Sequence, residues 1–339
     1  MITIRDVAKA ANVSISTVSR VINNNPNVTR EKRNRVLKAM DLVGYVPSVK
    51  SKDSTKETKV ILVITTIFHA VLCPAIEESA SELGYEVLFK YTGEFDGAIK
   101  NKISGDFYRE LSKMEALSGI LLLNPIMYKE TYMDLLLSNY PVVQVGCSVK
   151  DYGGYSVSSD DYQAAYDMTN YLLSRGYKKI ALVTPSDQMD SCHYSFARER
   201  YLGYHNALQS AGYDRSDEQV IVCDFSLEGG KAAAREILTM DQSERPDVVF
   251  CLADKMALGC MKYLTSAGKM RIPEDLGIAG FDGDFWGIEL SPSLTTVTQA
   301  FDDIASESVQ MLDQLIRKDI SNGRRLYVAH SIDARESTK

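Results

Sequence analysis

The sequence contains no apolar run that could cross a bilayer. Stretches such as Val60–Ile64 and Ile120–Leu123 fall far short of the ~18 residues a span requires. Met1-Ile2-Thr3-Ile4-Arg5-Asp6 lacks an apolar h-region, so no secretory signal is expected. The six cysteines, at 73, 147, 192, 223, 251 and 260, include no Cys-x-x-Cys pair, which argues against a zinc site and a disulfide scaffold and fits reduced thiols in a cytoplasm. The four histidines (69, 193, 205 and 330) are dispersed and suggest no catalytic triad. There is no Gly-x-Ser-x-Gly, no His-Glu-x-x-His and no phosphate loop, so nothing points to an enzyme, a cofactor or a metal. What remains is an ordinary soluble chain, 45% hydrophobic and 24% charged. At ~100–200 residues per domain, its length predicts two or three units.

Charge is unevenly placed. Residues 1–59 carry twelve basic and five acidic side chains, a net of +7; the rest carries −14, giving −7 overall. A basic head on an acidic body suggests that the head alone meets a polyanion, a solvated basic tail being the bland alternative. Periodicity favours the first reading. Thr3-Ile4-Arg5-Asp6 has capping-box spacing, and Ile4, Val7, Ala8 and Ala11 recur at helical intervals. Asn12-Val13 suits a tight turn, and Ser14 suits the cap of a second helix with Val18, Val21 and Ile22 inside. Ile15, Ser16, Ser19, Arg20 and Asn23 then face outward, with almost nothing to bury. After a loop at Asn23–Asn27, Thr29 caps a third helix carrying Val36, Leu37, Met40 and Val43 and ending near Gly44. Two short helices joined by a tight turn make a helix-turn-helix, whose outer face enters a major groove where Arg20 can donate twice to a guanine. A three-helix protein-binding module is the competing interpretation.

The body alternates strand-like runs (Lys59–Thr66, Glu86–Tyr91, Gly119–Leu123, Val142–Gly146, Lys179–Thr184, Val248–Leu252, Leu276–Phe281) with amphipathic segments such as Tyr162–Arg175. That pattern predicts α/β layers with parallel sheets, and a ligand cleft at the carboxyl ends of the strands.

Ile4-Arg5-Asp6-Val7-Ala8 and Val13-Ser14-Ile15-Ser16-Thr17-Val18-Ser19-Arg20-Val21-Ile22-Asn23 closely resemble the head of LacI/GalR-family transcriptional regulators. Gly44-Tyr45-Val46-Pro47, Gly176–Val183, Asp254–Gly259, Ile272–Asp275, Gly280-Phe281-Asp282, Leu294–Val297 and Arg335–Thr338 follow in the family's order. The resemblance implies a small all-α helix-turn-helix head (1–46), a hinge (47–58) and a periplasmic-binding-protein-like effector and dimerisation domain (59–339) of two doubly wound parallel-sheet lobes. The N-lobe would span about 59–175 and 300–327, and the C-lobe about 176–299 and 328–339, with three connections between them. DNA contacts are expected from Ile4, Arg5, Ser14, Ile15, Ser16, Thr17, Ser19, Arg20, Asn23 and Thr29, and from Ser48, Val49 and Ser51 of the hinge. The hinge departs from the family: Ser54 stands where a groove-wedging leucine is usual, so Val49 takes that part or the DNA is bent less.

Effector contacts implied by the resemblance are Asp160, Asp161, Arg200, Phe225, Asp254, Asp282 and Gln299. Thr66 and His69 are assigned by position in a shortened loop, and His193 by its place in Ser191–Tyr194. An arginine with an aspartate suits a sugar's hydroxyls, and an aromatic suits its C–H face. For Asp160 and Asp254, helix capping is an equal alternative.

The reading is a cytoplasmic, nucleoid-associated repressor that binds a pseudo-palindromic operator in double-stranded DNA as a homodimer. A sugar or sugar phosphate in the cleft would couple to DNA affinity by ~1–3 kcal/mol. A nucleobase or nucleoside effector and a phosphoprotein co-regulator remain open, and a transporter's solute-binding protein is disfavoured. With only Lys339 after the last motif, a dimer rather than a tetramer is expected, to which the Ile76, Ala80 and Leu83 stripe is one candidate contributor beside ordinary core packing.

Overall fold

The computed structural model describes residues 3–22, 25, 28–45, 59–65, 69–91, 116–123, 140–146, 154–185, 195–266, 268, 270–283 and 286–339. The head has three helices, α1 (Ile4–Ala11), α2 (Ile15–Ile22) and α3 (Arg30–Val43). The Asp6 carboxylate accepts bonds from the Thr3 backbone N and Oγ1, each at 2.8 Å, closing the start of α1. These bonds hold the carboxyl below its usual range. Asn12 ends α1 in the left-handed region (φ 51°, ψ 52°), a conformation asparagine tolerates better than most residues. Ser14 Oγ accepts from Thr17 N at 3.2 Å, and Thr29 Oγ1 from Lys32 N at 3.4 Å, so both expected caps form. Val7, Ala8, Ala11, Val18, Val21, Val36, Ala39 and Met40 make the core, with Ile4, Leu37 and Val43 packed partly against it.

The described chain divides into two compact units, Met1–Ser158 with Phe301–Val328, and Ser159–Ala300 with Ala329–Lys339. In the first, strands β1 (Lys59–Thr65), β2 (Tyr85–Tyr91), β3 (Leu117–Leu123), β4 (Val142–Val145), β5 (Tyr155–Ser159) and β11 (Arg324–Val328) form a sheet of order β11-β5-β4-β3-β1-β2. The pairs among β1 to β5 are parallel. Helices α4 (Leu72–Glu82) and α9 (Phe301–Arg317) cover one face over Ile61, Val63, Leu121 and Val143. Ile76 and Ala80 are buried in that core. Their stripe is therefore core, the commoner use of such spacing.

In the second unit, β6 (Ile180–Thr184), β7 (Gln219–Val222), β8 (Val248–Cys251), β9 (Gly277–Asp282), β10 (Thr295–Gln299) and β12 (His330–Asp333) form a sheet of order β12-β10-β9-β8-β6-β7. Alternation sends Ile180, Leu182, Val248, Phe250 and Phe281 to one face, under α5 (Asp161–Ser174) and α6 (Ser195–Ser210). Ala181, Val183, Val249, Cys251 and Ile278 go to the other, under α7 (Leu227–Thr239) and α8 (Asp254–Ser266). This is a doubly wound sheet, with one departure: β12 runs antiparallel to β10.

The division also falls earlier than residue 175. Helix α5 belongs to the second unit because Ala164, Ala165, Met168 and Leu172 bury against Leu182, Phe250 and Val297 of that unit's sheet. The chain still passes three times between the units, after Ser158, Ala300 and Val328. Among the described residues, no helix is long and apolar enough to cross a membrane.

Candidate functional site

Two places concentrate polar side chains with nothing to do for the core. The first is the outer face of α2, where Ser14, Ile15, Ser16 and Arg20 are exposed while Val18 and Val21 are fully buried. Thr17 and Ser19 are half-buried beside them, and Arg5 is exposed on α1. Ile4 packs partly into the head's core. Thr29 is exposed and spends its hydroxyl on the α3 cap. Arg35, unforeseen from sequence, reaches from α3 to the end of α1, its Nη2 donating to the carbonyls of Ala11 (3.1 Å) and Asn12 (3.0 Å). A guanidinium over a helix carboxyl end suits the dipole and satisfies its orphan carbonyls, which fixes the turn that presents α2. Asn23, Ser48, Val49 and Ser51 lie outside the described residues, as do Ser54 of the hinge and the effector candidates Thr66 and His193.

The second place is the carboxyl edge of the second unit's sheet. Arg200, 5% exposed on α6, is its centre. Its Nε donates to Asp161 Oδ1 at 2.8 Å, and its Nη1 donates to the Leu252 carbonyl at 2.5 Å and to Asp282 Oδ1 at 3.5 Å. The guanidinium lies 3.5 Å from the ring centroid of Phe281 and 4.9 Å from that of Phe196. Burial pushes the Asp161 carboxyl upward in pKa, and the Arg200 charge opposes that push. Gln299 Nε2 donates to Asp282 Oδ1 at 2.9 Å. Asp282 has φ +127°; a non-glycine residue there stores strain of order 1–3 kcal/mol, a cost found clustered at binding sites. Regular alternation would put Asp282 on the face opposite Phe281. The unusual backbone brings it instead to Arg200 and Gln299.

Sequence reasoning named Asp161, Arg200, Asp282 and Gln299, and the structure joins them in one bonded cluster. Phe225 is half-buried and leans on Phe196 (centroids 5.3 Å apart), with Lys255 Nζ 3.6 Å over its ring. Asp160 caps α5, accepting from Gln163 N at 3.0 Å. Asp254 is buried at the start of α8 and accepts from Thr296 Oγ1 at 2.6 Å, over a glycine, Gly280, whose Cβ would clash with its carboxylate. His69 belongs to the first unit, where Nδ1 accepts from Leu72 N (3.2 Å) at the start of α4 and the ring packs edge-on to Phe301. Phe196, Phe281 and the Leu252 carbonyl went unassigned from sequence; Phe196, four residues before Arg200 on the same helix, carried the one local signal. Among the described residues, the buried hydroxyls of Thr184 and Thr298, at the ends of β6 and β10, have no hydrogen-bond partner.

A profile of bacterial regulatory proteins of the lacI family matches residues 3–48, and one of the periplasmic binding protein-like domain matches residues 169–338. The chain is 32% identical to the HTH-type transcriptional repressor CytR of Escherichia coli, over 96% of this chain and 93% of that one. It is 29% identical to catabolite control protein A of Priestia megaterium, over 100% of this chain and 99% of that one. Among solved structures, the complex of transcriptional regulator CelR with cellobiose superposes with a TM-score of 0.68 at 26% identity, covering 99% of this chain and 100% of that chain. With a helix-turn-helix head, a two-lobed α/β body and relatives that are regulators rather than enzymes, the chain belongs to the LacI family of bacterial DNA-binding transcriptional regulators.

Proposed function

We propose that this regulator is a cytoplasmic repressor that acts as a homodimer on a pseudo-palindromic operator, its affinity set by a small polyhydroxylated ligand at the carboxyl edge of the second unit. The head is residues 1–46 and the linker 47–58. The exposed Ser16–Arg20 face of α2 lies in the major groove, Arg20 reads a guanine edge, and Ser48, Val49 and Ser51 of the linker add DNA contacts. Two heads match the two half-sites of a palindrome. The observation that carries the ligand half is the Arg200–Asp161–Asp282 cluster, a donor and acceptors held in fixed geometry by aromatic rings and a strained backbone. Such fixed donor and acceptor pairs suit vicinal hydroxyls, and the CelR relative's cellobiose complex supports a sugar.

The test begins with duplexes selected from a random library by the full chain. Their affinity is then measured by fluorescence anisotropy with and without ribose, glucose and cellobiose. A palindromic consensus whose affinity changes with one of these sugars is expected, together with a scattering mass of two 37.7 kDa chains. An asymmetric consensus bound tightly by a single chain refutes the dimeric reading.

A further inference from the structure

We infer that the second unit's site takes an uncharged polyhydroxylated ligand and rejects its phosphate ester, with the Thr184 hydroxyl among the ligand's partners. This rests on the reading of that unit as the ligand-responsive part of the regulator.

Charge supports the inference first. An arginine at the centre of a site invites an anion, but Arg200 is already flanked by the carboxylates of Asp161 (2.8 Å) and Asp282 (3.5 Å). The three groups together carry −1. Helix starts are the other usual anion receptors, since their N–H groups are unpaired and the dipole favours negative charge. At two of them here the chain's own oxygens already answer. Asp160 accepts from Gln163 N at 3.0 Å and Ser226 from Gly229 N at 3.0 Å, while Asp254 is itself the first residue of α8. The second cation, Lys255, has its ammonium 3.6 Å from the centroid of the Phe225 ring. Against Arg200 and Lys255 stand Asp160, Asp161, Asp254 and Asp282. A phosphate dianion would add like charge to a site in net deficit of cations, a juxtaposition that suppresses binding.

Unanswered polar groups supply the second line. Thr184 is fully buried and its Oγ1 has no partner among the described residues. It follows Leu182 at strand spacing, and Leu182 lies opposite Phe250 in the β6–β8 register. Thr184 therefore faces the same side as the core under α5 and α6, the side from which Arg200 reaches the Leu252 carbonyl. The bonds of Arg200 run through its Nε and Nη1. A hydroxyl both donates and accepts, so the hydroxyls of a ligand can satisfy Thr184 Oγ1 and the guanidinium with no charge to neutralise. A buried polar group left unmet destabilises the unliganded protein, and a ligand that meets it is favoured for that reason.

The experiment uses the full chain and two readouts: the thermal midpoint, and the emission of Trp286, the single tryptophan, four residues past Asp282. Ribose is compared with ribose 5-phosphate, glucose with glucose 6-phosphate, and inorganic phosphate is run alone. At least one parent sugar is expected to bind, with its ester weaker by about tenfold or more, and inorganic phosphate is expected to leave the wild type unchanged. Thr184→Val keeps or raises the unliganded midpoint while weakening the sugar. Asp282→Asn uncovers the Arg200 charge, so inorganic phosphate begins to raise the midpoint of that variant. An ester that binds as tightly as its parent, or stabilisation of the wild type by phosphate, overturns this inference and leaves the proposed ligand response standing. Silence of every sugar and every ester in both readouts overturns both. The comparison of ester with parent uses unaltered protein and holds even if a variant fails to fold.

Discussion

A Cβ on Gly203 would stand 2.2 Å from the carbonyl oxygen of Tyr162. That missing methyl lets α6 approach α5, and it brings Arg200, one turn earlier on α6, against Asp161 at the start of α5. Gly203→Ala forces backbone apart, because the obstructing atom belongs to a carbonyl and not to a flexible side chain. Overpacking of this kind costs ~1–3 kcal/mol, and the same displacement loosens the Arg200–Asp161 bond. Urea unfolding is expected to show a lower midpoint with weaker sugar response; an unchanged midpoint would mean that the helices slide past the new methyl without cost.

Arg35→Met removes the two guanidinium bonds to the carbonyls of Ala11 and Asn12 while keeping the length of the aliphatic stem. Bonds from a charged donor to helix-end carbonyls contribute about 1–2 kcal/mol here. The loss is confined to the head, so amide exchange in α1 and α2 should accelerate while the two sheets keep their protection. Equal protection in α1 and α2 of both proteins would assign Arg35 to solvent.

Much of the fold was readable because its signals are local. Val7, Val18 and Val21 recur at helical spacing and are buried, and Asn12 turns left-handed where a tight turn was expected. Apolar runs became strands almost residue for residue, Lys59–Thr65 and Val248–Cys251 among them. What periodicity leaves open is which sheet a stripe meets. The apolar stripe of α5 was visible, but its membership of the second unit depends on Leu182, Phe250 and Val297, far away in sequence. The antiparallel β12 is four residues long and is specified by its pairing with β10. In the site, the resemblance named Arg200 and Asp282, whereas the rotation that makes them neighbours is a positive φ on a non-glycine residue. Nothing in the adjacent sequence marks it.

Arg20→Ala should lower operator affinity by ~1–3 kcal/mol and relax selection at one base pair of each half-site. Arg20 is exposed and Val18 and Val21 hold its helix, so the head stays folded. Binding to a panel of single-base operator variants reads the effect. If random duplex and operator weaken equally, Arg20 contacts phosphate and carries no sequence information.

The Asp275 carboxyl is held at about 2 against an ordinary 3.8, chiefly by side-chain bonds from Arg271, with a backbone bond adding to them. A folded-state value below the unfolded one means the unfolded chain binds the proton more tightly. The contribution is therefore present above the ordinary carboxyl range and lost as pH falls through about 2. Asp275→Asn should be less stable than wild type at pH 7, with the two converging as pH approaches 2. Since the pair is exposed, salt should shrink the difference at neutral pH as well. A gap that stays constant with pH would point to packing rather than charge.

Arg200 and Asp161 test the site as a unit. Arg200→Met leaves the Asp161 carboxylate buried without its cation, and a broken buried pair costs ~3–5 kcal/mol. Replacing both, Arg200→Met with Asp161→Leu, removes the stranded charge and should recover most of that loss, while abolishing the ligand response that the single variant also lacks. The pH dependence gives an independent sign. Burial raises the Asp161 carboxyl and Arg200 opposes it, so without Arg200 the folded state holds the proton more tightly than the unfolded chain does. Stability of Arg200→Met should therefore rise as pH falls from neutral into the carboxyl range, and decline again as pH climbs through the raised value. The double variant lacks that rise. Denaturant midpoints for the wild type, the single variant and the double variant, followed from neutral pH down into the carboxyl range, decide the matter. If the single variant falls no further than the double, and follows the wild type with pH, then Asp161 draws its counter-charge from water and the ion pair does not organise the site.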